Sequence, residues 1–150
     1  MHDKVISQVN FEIEQVDQLL ISYADLLNRV QTRVPDLVEL TALASILHSF
    51  YNGLENIFLS ISKGIDGDTP QGSHWHRDLL TQMSKPTPGR AAVLTEETSR
   101  QLADYLAFRH FYRHAYSFFL EWDEIANLVA SLADVWALVR AQLIQFIEEL

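Results

Sequence analysis

Apolar residues recur at steps of three and four along most of this 150-residue chain, which is the spacing of one face of an α-helix. The pattern predicts long helices over about 3–31, 36–63, 95–120 and 123–150 and a short helix over about 74–84. No stretch of useful length alternates as a strand would. We therefore expect an all-α fold, an antiparallel four-helix bundle with one additional short helix.

Prolines and glycines mark the boundaries of these predicted helices. Proline at position 35 disfavours helix in the residue before it, and Asp36 can cap the helix that follows. The stretch from Gly64 to Gly72 has three glycines but no lysine at the spacing of a phosphate-binding loop, so we expect a mobile loop there. The sequence contains no internal repeat, and we expect residues 1–150 to form a single domain.

Composition narrows the classes of function. The absence of cysteine excludes a disulfide scaffold, a thiolate metal site and a cysteine nucleophile. The formal charge of −9 repels polyanions at long range, so binding of nucleic acid would need a local basic patch. The N-terminus lacks the pattern of a secretory signal, and the apolar runs are shorter than the roughly 20 residues that cross a bilayer. We expect a cytoplasmic protein that does not associate with membranes.

The predicted helix over about 95–120 carries the candidate chemistry. On a helical wheel one side shows arginine, histidine and tyrosine, at Arg109, His110, Tyr112, Arg113, His114 and Tyr116. The other side shows apolar residues that we expect to face the core, namely Phe108, Phe111, Ala115, Phe118 and Phe119. Arginine matches phosphate oxygens and histidine transfers protons near neutral pH, so this face could cleave a phosphodiester without a metal. A solvated face or an oligomer interface is the alternative interpretation.

The segment from Arg109 to Tyr116 resembles the R-x4-H-x-Y signature of the HepT toxins, which belong to the HEPN superfamily of small helical ribonucleases. Two flanking segments agree with this resemblance. Leu43–Ser62 resembles the second helix of the family, and Gly72–Met83 resembles the short segment before its motif helix. The similarity covers the chain from about Leu37 to its end.

The resemblance implies a homodimeric HEPN-like bundle that acts as a metal-independent endoribonuclease toxin of a type VII-like toxin–antitoxin system. RNA is the implied substrate, with tRNA favoured, and no cofactor is implied. Arg109 and His114 correspond to the catalytic pair, and Tyr116 corresponds to the tyrosine that a partner nucleotidyltransferase antitoxin modifies with AMP. His110 stands where asparagine is common, and we assign Arg113 to phosphate binding.

Two other functions remain open at this point. The chain could be a catalytically inactive HEPN-fold module that only pairs with a nucleotidyltransferase, or a structural bundle. Other polar residues have simpler interpretations. His74 and His76 lack a firm third ligand beside Asp66 and Asp68, so we expect no metal site. We expect His76 to pack or cap the short helix, or else to border the active cleft. His48 is expected to be a satisfied core histidine, and Glu55 could support an arginine across the bundle.

Overall fold

The computed structural model describes every residue except 115 and 117–119, and the described part is helical. Six α-helices are assigned within it: α1 (Asp3–Ser22), α2 (Ala24–Arg29), α3 (Leu37–Ile61), α4 (Trp75–Met83), α5 (Glu96–His114) and α6 (Trp122–Glu148). The described residues contain no strand, only an isolated bridge between Thr87 and Arg90. The predicted all-α, HEPN-like fold is confirmed.

The first predicted helix is two helices in the structure. The backbone leaves helical geometry at Tyr23, with φ −110° and ψ 17°. The short α2 then turns Leu26 and Val30 into the core. Beyond Pro35, α3 begins with the cap that the sequence predicts. The backbone N–H of Glu39 donates to the Asp36 side chain over 2.8 Å, and the Glu39 carboxylate accepts from the Asp36 N–H over 3.1 Å.

The central helix of the fold is α3, which contacts α1, α4, α5 and α6. Its side chains are buried on nearly all sides over its last four turns, including Phe50, Tyr51 and Phe58. One glycine is required by the packing. A Cβ at Gly53 would lie 2.9 Å from Cγ2 of Val16, so the missing side chain lets α1 and α3 approach closely.

The connection between α3 and α4 contains the predicted loop from Gly64 to Gly72, and hydrogen bonds hold its first part against the bundle. It starts with a π-helical turn, Ser62–Asp66, and the carboxylate of Asp66 accepts from Nε and Nη2 of Arg90 over 2.7 and 2.8 Å. Gln82 of α4 donates to the same carboxylate over 2.7 Å. These buried hydrogen bonds anchor the segment, because a buried ion pair is costly to break.

The last helix, α6, is long and apolar enough to cross a membrane by length and composition, with a mean hydropathy of 1.3 over its most apolar window. The uninterrupted apolar runs in the sequence are short, so the sequence analysis did not predict a helix that meets this criterion. One side of α6 packs into the bundle through residues such as Leu132, Val139 and Leu143. Core helices meet the same criterion, so this property is weak evidence for a membrane segment.

Candidate active site

The inward face of α5 differs from the predicted one. Its buried seam runs through Thr98, Leu102, Tyr105 and Arg109 at steps of four, three and four, with Phe108 beside it. Arg109 is only 3% exposed, whereas Phe111 is 41% exposed. The predicted faces were wrong for Arg109 and Phe111, because the apolar seam of the first turns continues along the helix into Arg109, whereas Phe108 is buried as predicted. The described helix α5 spans Glu96–His114, and the predicted core positions Ala115, Phe118 and Phe119 lie outside the described residues.

Arg109 is held by side chains of α3 and α4. Its Nη1 donates to Oε1 of Glu55 over 2.9 Å and to Oδ1 of Asn52 over 3.0 Å. Its guanidinium carbon lies 5.3 Å from the ring centroid of Tyr51, within the range of a cation–π interaction. The expectation that Glu55 supports an arginine across the bundle is confirmed. The side chains of Arg109 and Glu55 are 3% and 8% exposed, so this is a buried ion pair.

His76 joins the same cluster from the first turn of α4. Its Nδ1 lies 2.7 Å from Oε2 of Glu55 and 2.8 Å from Nη2 of Arg109. Nδ1 cannot donate to the carboxylate and accept from the guanidinium at once. A carboxylate can only accept, so the shorter of the two contacts, the one to Glu55, requires a proton on Nδ1, and Nη2 of Arg109 then lies beside that N–H without a bond to it. We therefore assign the proton to Nδ1. His76 borders the candidate site, the second of the two roles that the sequence allowed.

A relay of hydrogen bonds fixes the ring state of His48. Arginine only donates, so Oδ1 of Asn52 faces Arg109 and its amide nitrogen donates to Nε2 of His48 over 3.0 Å. Nε2 is then an acceptor and Nδ1 carries the proton. Burial lowers the pKa of His48, and the charges of Arg109 and Arg113 lower it further. The prediction that His48 is a satisfied core histidine is half correct. Nε2 has a hydrogen-bond partner, whereas Nδ1 has none among the described residues.

Unsatisfied polar atoms concentrate around Arg109. Three buried side-chain atoms of the described residues have no hydrogen-bond partner: Nδ1 of His48, the hydroxyl of Tyr51 and Nε of Arg109. Burial raises the pKa of Tyr51, and the charge of Glu55 raises it further. Orphaned buried donors are rare in folded proteins and often mark functional sites. Their concentration in one cluster distinguishes it from the rest of the described core.

The remaining predicted site residues lie at the exposed end of α5. His110, Arg113 and His114 are exposed, and the ring centroids of His110 and His114 are 4.8 Å apart. Tyr116 lies beyond the helix and is 71% exposed. The structure thus brings Arg109 together with α3 and α4, while His114 faces solvent. The helical-wheel argument that Tyr116 shares the side of Arg109 fails, because α5 ends before it.

The sequence reasoning missed Asn52. A signal was available: His48, Asn52 and Glu55 follow one another at steps of four and three on an otherwise apolar helix, which places them on one face. Asp66, one of the two aspartates near these histidines, pairs with Arg90. Within the described part of the chain, no three His, Asp or Glu side chains are grouped as metal ligands.

The helical bundle, with its buried arginine cluster and the exposed basic end of the same helix, is consistent with a HEPN-like protein. The family model described as HepT-like protein matches residues 42–150, and the chain belongs to this family. The superfamily is generally one of ribonucleases. No curated protein sequence and no solved structure matches the chain significantly.

Proposed function

We propose that this protein is a metal-independent endoribonuclease toxin that cleaves RNA, with tRNA as the favoured target. One observation carries the proposal beyond family membership. The cluster around Arg109 is continuous along α5 with exposed His110, Arg113 and His114. A chain with a net charge of −9 here presents positive and proton-transferring groups side by side. This arrangement suits a phosphodiester, because arginine binds its oxygens and histidine moves protons.

The proposed reaction uses the ribose 2′-hydroxyl as the internal nucleophile. Arg113 binds the phosphate from the exposed side, with His110 beside it. His114 transfers a proton during cleavage. Arg109 is covered and its Nη1 is committed to Glu55 and Asn52, so we propose that it positions the site from beneath and adds fixed charge there. The products are a 2′,3′-cyclic phosphate and a 5′-hydroxyl, and no metal ion takes part.

We further propose that the protein works as a homodimer and that a partner nucleotidyltransferase silences it by adding AMP to Tyr116. Exposure of this side chain, at 71%, is what modification requires. An added phosphate would lie a few residues from Arg113 and offset its charge. The AMP group would also obstruct access of RNA to the end of α5.

An inactive binding module that pairs with a nucleotidyltransferase is the second candidate. Two observations favour it: the acidic net charge and the burial of Arg109 at 3% exposure. Nuclease activity of the purified protein separates the two candidates, since a binding module would cleave nothing.

The test is cleavage of total tRNA and of a synthetic RNA by the purified protein in EDTA. We expect cleavage by the parent, loss of cleavage in Arg109→Ala and in His114→Ala, and no loss in Arg100→Ala. Arg100 is a matched control because it lies on α5, is exposed, and pairs among the described residues only with Glu97. Activity that needs an added divalent ion, or equal activity in all variants, would contradict the mechanism.

Modification is tested by intact-mass measurement after incubation with the nucleotidyltransferase and ATP. We expect added AMP on the parent and on Tyr23→Phe, which removes another exposed tyrosine. Tyr116→Phe should gain no mass. Equal mass gain in Tyr116→Phe would place the modification elsewhere.

A further inference from the structure

We infer that His76, positioned by Glu55, is the general base that takes the proton from the attacking 2′-hydroxyl. The inference rests on the proposed ribonuclease function and adds a residue of α4 to it. His114 then serves as the acid that protonates the leaving oxygen. Two groups are needed because the reaction removes one proton and delivers another.

The hydrogen bond to Glu55 prepares His76 for this role. The distance of 2.7 Å from Nδ1 to Oε2 is that of a strong, charge-assisted bond. With the proton on Nδ1, the lone pair is on Nε2, which has no hydrogen-bond partner among the described residues. The side chain of His76 is 29% exposed, whereas that of Glu55 is 8% exposed. The ring is therefore anchored at one nitrogen and accessible to substrate at the other edge.

The imidazole ring is also held in place. It stacks on Trp75, with 3.6 Å between ring centroids and 29° between planes. Glu55 is itself fixed by Arg109. Arg109 thus orients Glu55, and Glu55 orients His76. Catalytic triads use the same principle, in which a carboxylate orients the histidine that acts as the base.

The other histidines lack this arrangement. Of the six histidines in the chain, all of them described, only His76 has a carboxylate within ion-pair distance among the described residues. His48 uses Nε2 to accept from Asn52, so its lone pair is occupied. His110 and His114 contact each other at the exposed end of α5.

Nε2 of His76 takes the proton of the 2′-hydroxyl while the 2′ oxygen forms a bond to phosphorus. The bond from phosphorus to the 5′ oxygen breaks, and His114 donates a proton to that oxygen. Glu55 stabilises the imidazolium that forms on His76, because a carboxylate lies against its Nδ1–H.

The experiment measures single-turnover cleavage against pH for the parent, His76→Gln and His74→Gln. His74 is a matched control, an exposed histidine two residues earlier. We expect His76→Gln to lose on the order of 10²- to 10⁴-fold in rate and to lose the rise of rate with pH on the acidic side. His74→Gln should keep both. Free imidazole should partly restore His76→Ala, a rescue that a purely structural role would not give.

A second substrate distinguishes the role of the general base, His76, from that of the general acid, His114. RNA with sulfur in place of the bridging 5′ oxygen has a leaving group that needs no acid. It should restore cleavage by His114→Gln but not by His76→Gln. Rescue of His76→Gln by this substrate, or a parental pH profile in that variant, would overturn the inference while leaving the ribonuclease function intact. A parent that cleaves no RNA would overturn both.

Discussion

Two buried arginine–carboxylate pairs in this chain have opposite characters. Arg90 donates through Nε and Nη2 to both oxygens of Asp66, and its remaining donors reach backbone carbonyls of Gln82, Lys85 and Ala91. Arg109 donates to one oxygen of Glu55, shares that carboxylate with His76, and leaves its buried Nε without a partner. The first pair is saturated and the second is not.

The difference indicates what each pair does. A saturated buried pair contributes to folding and offers nothing to a ligand, so we assign Arg90 and Asp66 to anchoring the segment between α3 and α5. An incompletely satisfied cluster lowers stability, and such clusters persist where function requires them. The Arg109 cluster also reaches partly exposed His76. We therefore propose that the Arg90 pair is structural and that the Arg109 cluster is the functional one.

The largest expected effect is on stability at the saturated pair. Arg90→Met leaves the Asp66 carboxylate buried and unpaired, and should lower the free energy of unfolding by about 3–5 kcal/mol. Urea denaturation followed by circular dichroism measures this change. RNA cleavage per folded molecule should be unaffected. A loss below about 1 kcal/mol would remove the anchoring role assigned to this pair.

The next effect compares coupling energies between the partners of each pair. Double-mutant cycles should give a larger coupling for Arg90 with Asp66 than for Arg109 with Glu55, within the usual range of about 0.5–3 kcal/mol. The reason is that Asp66 receives two hydrogen bonds from its arginine and Glu55 receives one. Equal or reversed coupling energies would contradict the distinction between the two pairs.

A smaller effect is expected from two buried tyrosine hydroxyls. The hydroxyl of Tyr51 has no partner, whereas that of Tyr105 donates to the carbonyl of Leu128 over 2.7 Å. Tyr105→Phe should cost about 0.5–1.5 kcal/mol because it removes this hydrogen bond. Tyr51→Phe should be neutral or slightly stabilising, since it removes an unpaired polar group. Thermal unfolding of both variants measures the contrast, and equal losses would mean that Tyr51 is satisfied in solution.

The smallest effect concerns pH. The pKa of His48 is lowered from its ordinary value of 6.5 by burial, then by Arg109 and Arg113. The folded state therefore binds fewer protons than the unfolded state, and this contribution to stability is present above pH 6.5 and lost as the pH falls. When the pH falls from about 7.5 to about 5, a range that spans the ordinary histidine pKa of ~6.5, His48→Gln should lose less stability than the parent. An identical pH dependence in both proteins would show that His48 does not contribute.

The fold followed from the sequence more completely than the site did. Apolar spacing located the helices, and Asp36 and Glu39 marked the start of α3, because these are local features. The burial of Arg109 did not follow, since it depends on Glu55 and Asn52 of α3 and on His76 of α4. The same holds for Asp66 and Arg90, which are 24 residues apart. The spacing of apolar residues reports local helical structure, and it does not show which polar side chains of different helices come into contact.

In the proposed account, the Arg109 cluster is functional and the Arg90 pair is structural. The most direct measurement is RNA cleavage and unfolding free energy for Arg109→Lys and Arg90→Lys, because lysine keeps the charge but loses the planar fork. We predict that Arg109→Lys folds and loses on the order of 10²-fold or more in cleavage, whereas Arg90→Lys loses stability but cleaves normally per folded molecule. Normal cleavage by folded Arg109→Lys would contradict the claim.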